Sequence, residues 1–158
     1  MKGGKTNAMR ILDQMRMAYT PHSYENPGEP KSGVAVAEEL GVSAGRIFKT
    51  LVTHAGADYY VFVIPADKEL DLKKAARACG AKKIEMLPLK ELFLRTGYHK
   101  GGCSPLGMKK DFPTFIDRLA EEEETVFVSA GKVGQQIEIR PADLRTAVGG
   151  EYANLHEE

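Results

Sequence analysis

Apolar side chains recur over residues 7–19 at Ile11, Leu12, Met15 and Ala18, the spacing of one helix face. That pattern predicts an amphipathic first helix, ended by Pro21, with His22-Ser23-Tyr24 as a short strand. Asn26-Pro27-Gly28-Glu29-Pro30 reads as a loop by its turn chemistry. Ser32 is a natural N-cap for a helix through Leu40, which Gly41 closes. The period then changes. Ile47 to Thr53 and Tyr59 to Ile64 are rich in β-branched and aromatic residues, and the short His54–Asp58 connection predicts a hairpin.

Leu72, Ala75, Ala76 and Cys79 return to helical spacing, with Asp71 as the cap and Gly80 as the stop. Lys82 to Leu87 reads as a strand, and Pro88 at a first helical position opens a helix that ends at Gly97. Phe115-Ile116, Val126-Phe127-Val128 and Ile137-Glu138-Ile139 add strands, and Pro141 starts a last helix presenting Leu144, Ala147 and Val148. Strands outnumber helices and at least one pair is joined by a hairpin. The expected fold is therefore mixed α/β, a curved mixed sheet with helices packed around it, and not a doubly wound parallel sheet.

At 158 residues the chain is expected to form a single domain over residues 1–158, with a core needing no staples. Apolar residues make up 42% and charged residues 28%, an ordinary globular balance. No apolar run approaches the roughly 18 residues of a membrane span, and the polar, basic start of the chain lacks a secretory signal. Two distant cysteines make no disulfide framework, which points to the cytoplasm. Twenty-two basic residues balance 22 acidic ones. A protein that grips nucleic acid unaided usually carries a basic excess, so any RNA contact should be weak or short. The Glu121–Glu124 run reads as a solvated turn or helix end.

Three features could carry chemistry. Strand alternation puts Lys49 on a face with Ile47 and Leu51; it is either an edge lysine that blocks aggregation or a cation aimed into a pocket to hold an oxygen. Gly101-Gly102-Cys103-Ser104-Pro105-Leu106-Gly107 lets the backbone approach a ligand and offer N–H groups, or is a plain surface turn. Ser129-Ala130-Gly131-Lys132-Val133-Gly134 is a second glycine loop after a strand, where ligands often bind, but a hairpin turn accounts for it more simply. A nucleophilic Cys103 would need a base within reach, and His99 four residues earlier does not supply that geometry by proximity alone. Cys79, on an apolar helix face, reads as core. His22, His54, His99 and His156 show no metal-ligand spacing with either cysteine, so no metal site is expected.

Lys49 and the Gly101–Gly107 loop together resemble the YbaK-type Cys-tRNA(Pro) deacylases, free-standing relatives of the editing domain inserted in many prolyl-tRNA synthetases. The likeness includes Glu29-Pro30-Lys31-Ser32, Ile47-Phe48-Lys49-Thr50-Leu51, Leu70 to Ala76, Gly80 to Met86, Thr96-Gly97-Tyr98, Pro113 to Asp117, Ser129 to Lys132 and Ile137-Glu138-Ile139, in order from about residue 8 to 150. It implies a partly closed mixed sheet with surrounding helices. Lys49 falls on the family's essential lysine and Tyr24 on a tyrosine lining the substrate pocket. Gly101, Gly102 and Gly131 fall on backbone positions that shape the pocket, and Ser104 joins them as a candidate substrate-binding residue. Relatives also use an aliphatic residue at Cys103, which argues against a nucleophile there. One position departs: relatives place a carboxylate where this chain has Gln136, an amide that hydrogen-bonds but takes no proton.

The resemblance implies a cofactor-free enzyme that hydrolyses the ester of Cys-tRNA(Pro), with Cys-tRNA(Cys) as a further substrate. The substrate thiol attacks its own ester carbonyl, so the protein needs to position the ester and stabilise charge. Mischarged tRNA and prolyl-tRNA synthetase are the implied partners, with no membrane involved. Competing readings are a deacylase for another small amino acid such as Ala-tRNA(Pro), a non-catalytic module binding tRNA or a synthetase, and a cysteine hydrolase using Cys103.

Overall fold

The computed structural model describes residues 4–25 and 31–158, so the loop expected at Asn26–Pro30 lies outside the described residues. The first helix, α1 (Asn7–Gln14), is shorter than its pattern predicts and buries Ala8, Met9 and Leu12. Arg16 turns left-handed at φ 58°, and the Met17 N–H reaches back to the Leu12 carbonyl at 3.0 Å. The chain therefore leaves the helix well before Pro21, and Met15 is exposed. Pro21 instead sits in β1 (Thr20–Ser23), an edge strand, where a missing N–H is tolerated. Tyr24 follows β1, and its N–H donates to Gly134 O at 2.9 Å.

Capping signals place the next helices. Ser32 caps α2 (Gly33–Leu40) through a bond to the Ala35 N–H, and Gly41 ends it left-handed at φ 73°. Asp71 accepts from the N–H groups of Lys73 and Lys74 to open α3 (Leu72–Cys79), with Gly80 as its stop. Ala75 and Ala76 are buried, but Leu72, in the exposed first turn, is not. Pro88 stands at the N-cap of α4 (Leu89–Thr96) rather than at its first helical position, whereas Pro141 does open α5 (Pro141–Val148).

The strands form two sheets, not one partly closed sheet. β2 (Phe48–Ala55) and β3 (Asp58–Pro65) pair as the expected hairpin. They extend to β4 (Glu85–Met86) on one side and, in parallel, to β5 (Thr114–Asp117) and β8 (Glu151–Ala153) on the other, in the order β4-β2-β3-β5-β8. The second sheet runs β1-β7-β6, with β6 at Val126–Ser129 and β7 at Gln135–Ile139. A single parallel bridge, Ile47 to Phe127, joins the two. The strand expected over Lys82–Leu87 is thus reduced to two residues, while β8 adds a pairing that three residues after a glycine pair did not announce.

The larger sheet is covered on both faces, which explains the unbroken apolar run in β3. Val61 and Val63 face one cluster with Leu12, Phe48, Ile116, Ile137 and Leu144. Phe62 and Ile64 face another with Ala75, Ala76 and Leu155. A third cluster packs α2, through Val36 and Ala37, onto Tyr24, Ile47 and Phe127. Ile47 therefore does not share a packed face with Leu51, which lies against the Phe62 cluster; the bridge to Phe127 draws Ile47 to the smaller sheet. Lys49 stands between these two clusters. The Glu121–Glu124 run lies at the end of a 3₁₀ turn, Arg118–Glu122, and is largely solvated. No helix is long and apolar enough to cross a membrane among the described residues.

Candidate functional site

A cavity of about 130 Å³ opens at the start of β2. Phe48, Lys49 and Thr50 supply one wall, Tyr24 another, Gly101 and Cys103 a third, and Ser129 with Gln136 a fourth. Lys31 and residues of α2 complete it. The junction of the two sheets puts it there: β2 belongs to one sheet, β6 and β7 to the other, and the Ile47–Phe127 bridge fixes their approach.

The two glycine loops touch. A Cβ on Gly102 would meet the Val133 nitrogen at 2.9 Å and the Lys132 carbonyl carbon at 3.2 Å, so no side chain fits between the loops. Gly131, at φ 96°, passes 2.9 Å from the Tyr98 ring by the same measure. Neither Gly102 nor Gly131 is among the lining residues; they hold Gly101 and Ser129 in place. Ser104 is fully buried, and its hydroxyl accepts from the Leu106 N–H at 3.2 Å. It shapes the loop from inside and does not face the cavity. Tyr98, whose hydroxyl donates to the Leu106 carbonyl, braces the same loop. Burial pushes its phenol up to about 12.

In the hairpin register Lys49 stands opposite Ile64 and Thr50 opposite Val63, so their side chains leave opposite faces. Both border the cavity because it lies at the strand's end. The Lys49 ammonium rests 3.6 Å from the carboxylate of Glu69, a largely exposed side chain. The expected lysine is at the site, but at its rim. Strand alternation singles out the face that carries Lys49 and so passes over Thr50, while Ser129 belongs to the second glycine loop with no role implied by its position. Nothing in their spacing marks either one.

Two polar atoms of the lining residues have no partner among the described residues. Thr50 Oγ1 and Gln136 Oε1 are buried without a hydrogen bond, and Gln136 as a residue is 6% exposed. A buried acceptor left unpaired costs about 1–3 kcal/mol, and both of these belong to residues that line the cavity. Burial pushes the Cys103 thiol up to about 12, against the smaller opposing influence of the Thr96 hydroxyl. Such a thiol stays protonated at neutral pH, which weighs against a nucleophilic role. His99 stacks on Phe93 of α4, ring centroids 4.4 Å apart. Among the described residues, no group of three or more His, Cys, Asp or Glu side chains could hold a metal ion.

A family model described as an aminoacyl-tRNA editing domain matches residues 29–147. A protein of Enterococcus faecalis described as "Putative Cys-tRNA(Pro)/Cys-tRNA(Cys) deacylase EbsC" is 47% identical over 152 residues, 96% of this chain and 93% of that one. The proline–tRNA ligase of Shouchella clausii is 31% identical over 106 residues, covering 67% of this chain and 19% of the ligase. Among solved structures, "hypothetical protein APE2540" superposes with a TM-score of 0.84 at 25% identity, covering 94% of this chain and 97% of that one. A "putative trans-editing enzyme for prolyl tRNA synthetase" superposes with a TM-score of 0.82 at 24% identity, covering 94% of each chain.

Proposed function

The chain belongs to the aminoacyl-tRNA editing domain family, and from that premise we propose that it is a cytoplasmic trans-editing deacylase that removes cysteine from tRNA(Pro), and from tRNA(Cys). The observation that carries this reading is the pair of unpartnered acceptors, Thr50 Oγ1 and Gln136 Oε1, in a cavity of about 130 Å³. That volume is roughly four waters' share of liquid at about 30 Å³ each, room for a small aminoacyl group. A cysteinyl ester brings two kinds of donor, an α-ammonium and a thiol, to two acceptors. An alanyl ester brings the ammonium, whose three N–H groups could serve both acceptors, but it has no thiol to attack the ester.

The substrate supplies the nucleophile in this scheme. Its sulfur attacks its own ester carbonyl, the carbonyl–oxygen bond to the ribose breaks, and the thiol proton passes to the departing ribose oxygen. A thiolactone leaves the site and water opens it to cysteine. The protein's task is to hold the thiol and carbonyl in reach of each other and to stabilise the oxyanion. Lys49 serves as the cation. Its pairing with exposed Glu69 is of the kind worth little, so the ammonium exchanges that carboxylate for the developing oxyanion at small cost. The Gly101 loop offers backbone N–H groups on the same side, and Tyr24 bounds the pocket. Gln136 accepts from the ammonium without ever holding a proton, and neither Cys103 nor a metal takes part.

Mischarged tRNA is then the substrate and prolyl-tRNA synthetase the docking partner. A domain similar to this chain occupies part of a proline–tRNA ligase; a separate copy gains the same proximity by docking, which raises local substrate concentration. Purified protein should hydrolyse Cys-tRNA(Pro) far faster than Ala-tRNA(Pro) or Ser-tRNA(Pro). Size selection alone would separate these by only about 1–3 kcal/mol. Alanyl ester cleaved as fast as cysteinyl ester would overturn the reading.

A further inference from the structure

A second cleft, of about 380 Å³, lies at the far end of the β2–β3 hairpin, between the start of β3, the end of α4 and residues 109–113. Its lining combines aromatic faces with cations. Arg95 places its guanidinium 5.0 Å from the centre of the Tyr59 ring, and Tyr59 lies 5.5 Å from Phe112. Lys109 and Lys110 are exposed beside them, and Asp58 is the one carboxylate among the lining residues. Among the described residues, Arg95 Nε is buried without a hydrogen bond and has only Glu91, 3.7 Å away, as an ionic neighbour. Neither Lys109 nor Lys110 forms an ion pair with a carboxylate among the described residues. In a chain of zero formal charge this is a local excess of cations set around π-faces.

The same chemistry continues toward the cavity. Lys109 also lies over the ring of half-exposed Phe93, 5.2 Å from its centre, and Phe93 stacks on His99. His99 and Lys100 lead directly into Gly101, which lines the deacylation site. Tyr59 pairs with His54 and Lys49 with Ile64, so the cleft and the cavity are separated by five residues of strand, about 17 Å at 3.4 Å per residue.

We infer that this band, from Phe112 and Tyr59 through Arg95 and Lys109 to Phe93 and His99, is a binding track for single-stranded RNA. Bases take ring faces of Tyr59 and Phe93 in place of Arg95 and Lys109, and these cations, with Lys110, turn to the phosphates. With the 3′ end esterified in the cavity, the nucleotides preceding it lie along the track. The inference rests on the deacylase reading only for that direction of travel. Exposed aromatic faces alone would also suit a protein partner, but a surface of cations, two of them without a carboxylate partner among the described residues, between two stacking platforms matches a polyanion of planar bases.

The test uses a fluorescently labelled eight-nucleotide single-stranded RNA and its binding anisotropy across a salt series. Lys109→Ala/Lys110→Ala, at two exposed positions that leave the fold alone, should flatten the salt dependence by somewhat more than one unit, about 0.7 per phosphate. Phe93→Ala should weaken binding by about five- to 150-fold, the range for one lost base stack. Lys82→Ala/Lys83→Ala, at an exposed pair outside the cleft, should bind like the parent. On Cys-tRNA the Lys109/Lys110 variant should raise KM and spare kcat. RNA binding that is lost in these variants upholds the track even if the parent protein cleaves no cysteinyl ester. Unchanged affinity and salt slope in both variants overturn it, even if deacylation is fully established.

Discussion

Two buried polar places in this protein differ in how they are completed. At the end of β5, Asp117 is fully buried and uses both oxygens within the fold. It accepts from the Leu119 N–H at 2.9 Å, the Leu155 N–H at 3.2 Å and the His156 ring at 2.8 Å. At the junction of the two sheets, Thr50 Oγ1 and Gln136 Oε1 are equally shut away and accept nothing. The first arrangement ties the C-terminal segment to the sheet and puts both carboxylate oxygens to use. The second has acceptor capacity that nothing among the described residues uses. Both contain titratable or polar residues in suggestive company, yet only unsatisfied capacity separates a site from a strut.

Substitutions at the two places should therefore fail in opposite ways. Lys49→Ala should lower the rate of Cys-tRNA(Pro) deacylation by about 10²–10³, the scale for removing one donor to an oxyanion, with an unchanged melting curve. Asp117→Ala strands two backbone N–H groups and an imidazole, at about 1–3 kcal/mol each. It should melt well below the parent while the folded fraction retains its turnover. Initial rates and thermal melts on both variants decide the matter. A well-folded Lys49→Ala protein with normal turnover would remove the lysine from the mechanism.

Gln136 sharpens the contrast, because a site that waits for donors sacrifices stability. Gln136→Met keeps the length of the side chain and removes the orphan acceptor. The variant should be more stable by about 1–3 kcal/mol and a poorer deacylase by roughly tenfold, the usual direction of exchange at prepared sites. An equally stable or less stable variant would mean that Gln136 Oε1 is satisfied in solution, and the comparison with Asp117 would lose its force.

The parts of the fold that local chemistry determines are legible in the sequence. Ser32 and Asp71 as caps, the glycines after α2, α3 and α4, and the hairpin all act over a few residues. What depends on distant partners is not legible there. β8 exists because Tyr152 finds Ile116, α1 ends early because Arg16 turns left-handed, and the sheet divides in two at Ile47. The site shows the same limit. Lys49, Tyr24, Gly101 and Gln136 do come together. Gly102 and Gly131 must be small because they pack against Val133 and Tyr98, contacts that join separate loops. Thr50 is unreadable because what marks it is a missing bond, and sequence records residues, not the partners they lack.

The smallest expected effect concerns Cys103, whose place on the cavity wall makes it the natural suspect for a nucleophile. Its thiol is pushed up to about 12 by burial, whereas an ordinary cysteine titrates near 8.5. At pH 7.5 the thiolate, the species that reacts, is then scarcer by roughly a thousandfold or more. Iodoacetamide should modify Cys103 in the folded protein slower by about that factor than in the unfolded chain, and its rate should climb with pH well past 9 without levelling. Cys103→Ser should change deacylation by less than about tenfold, since the wall keeps its shape and the attacking sulfur belongs to the substrate. Removal of a true nucleophile costs on the order of 10³ or more. Rates of that kind, with fast alkylation at neutral pH, would restore Cys103 as the attacking group and leave Thr50 and Gln136 as bystanders to an acyl-enzyme. Slow alkylation with retained turnover keeps the chemistry where the unpartnered acceptors put it, on the substrate's own thiol.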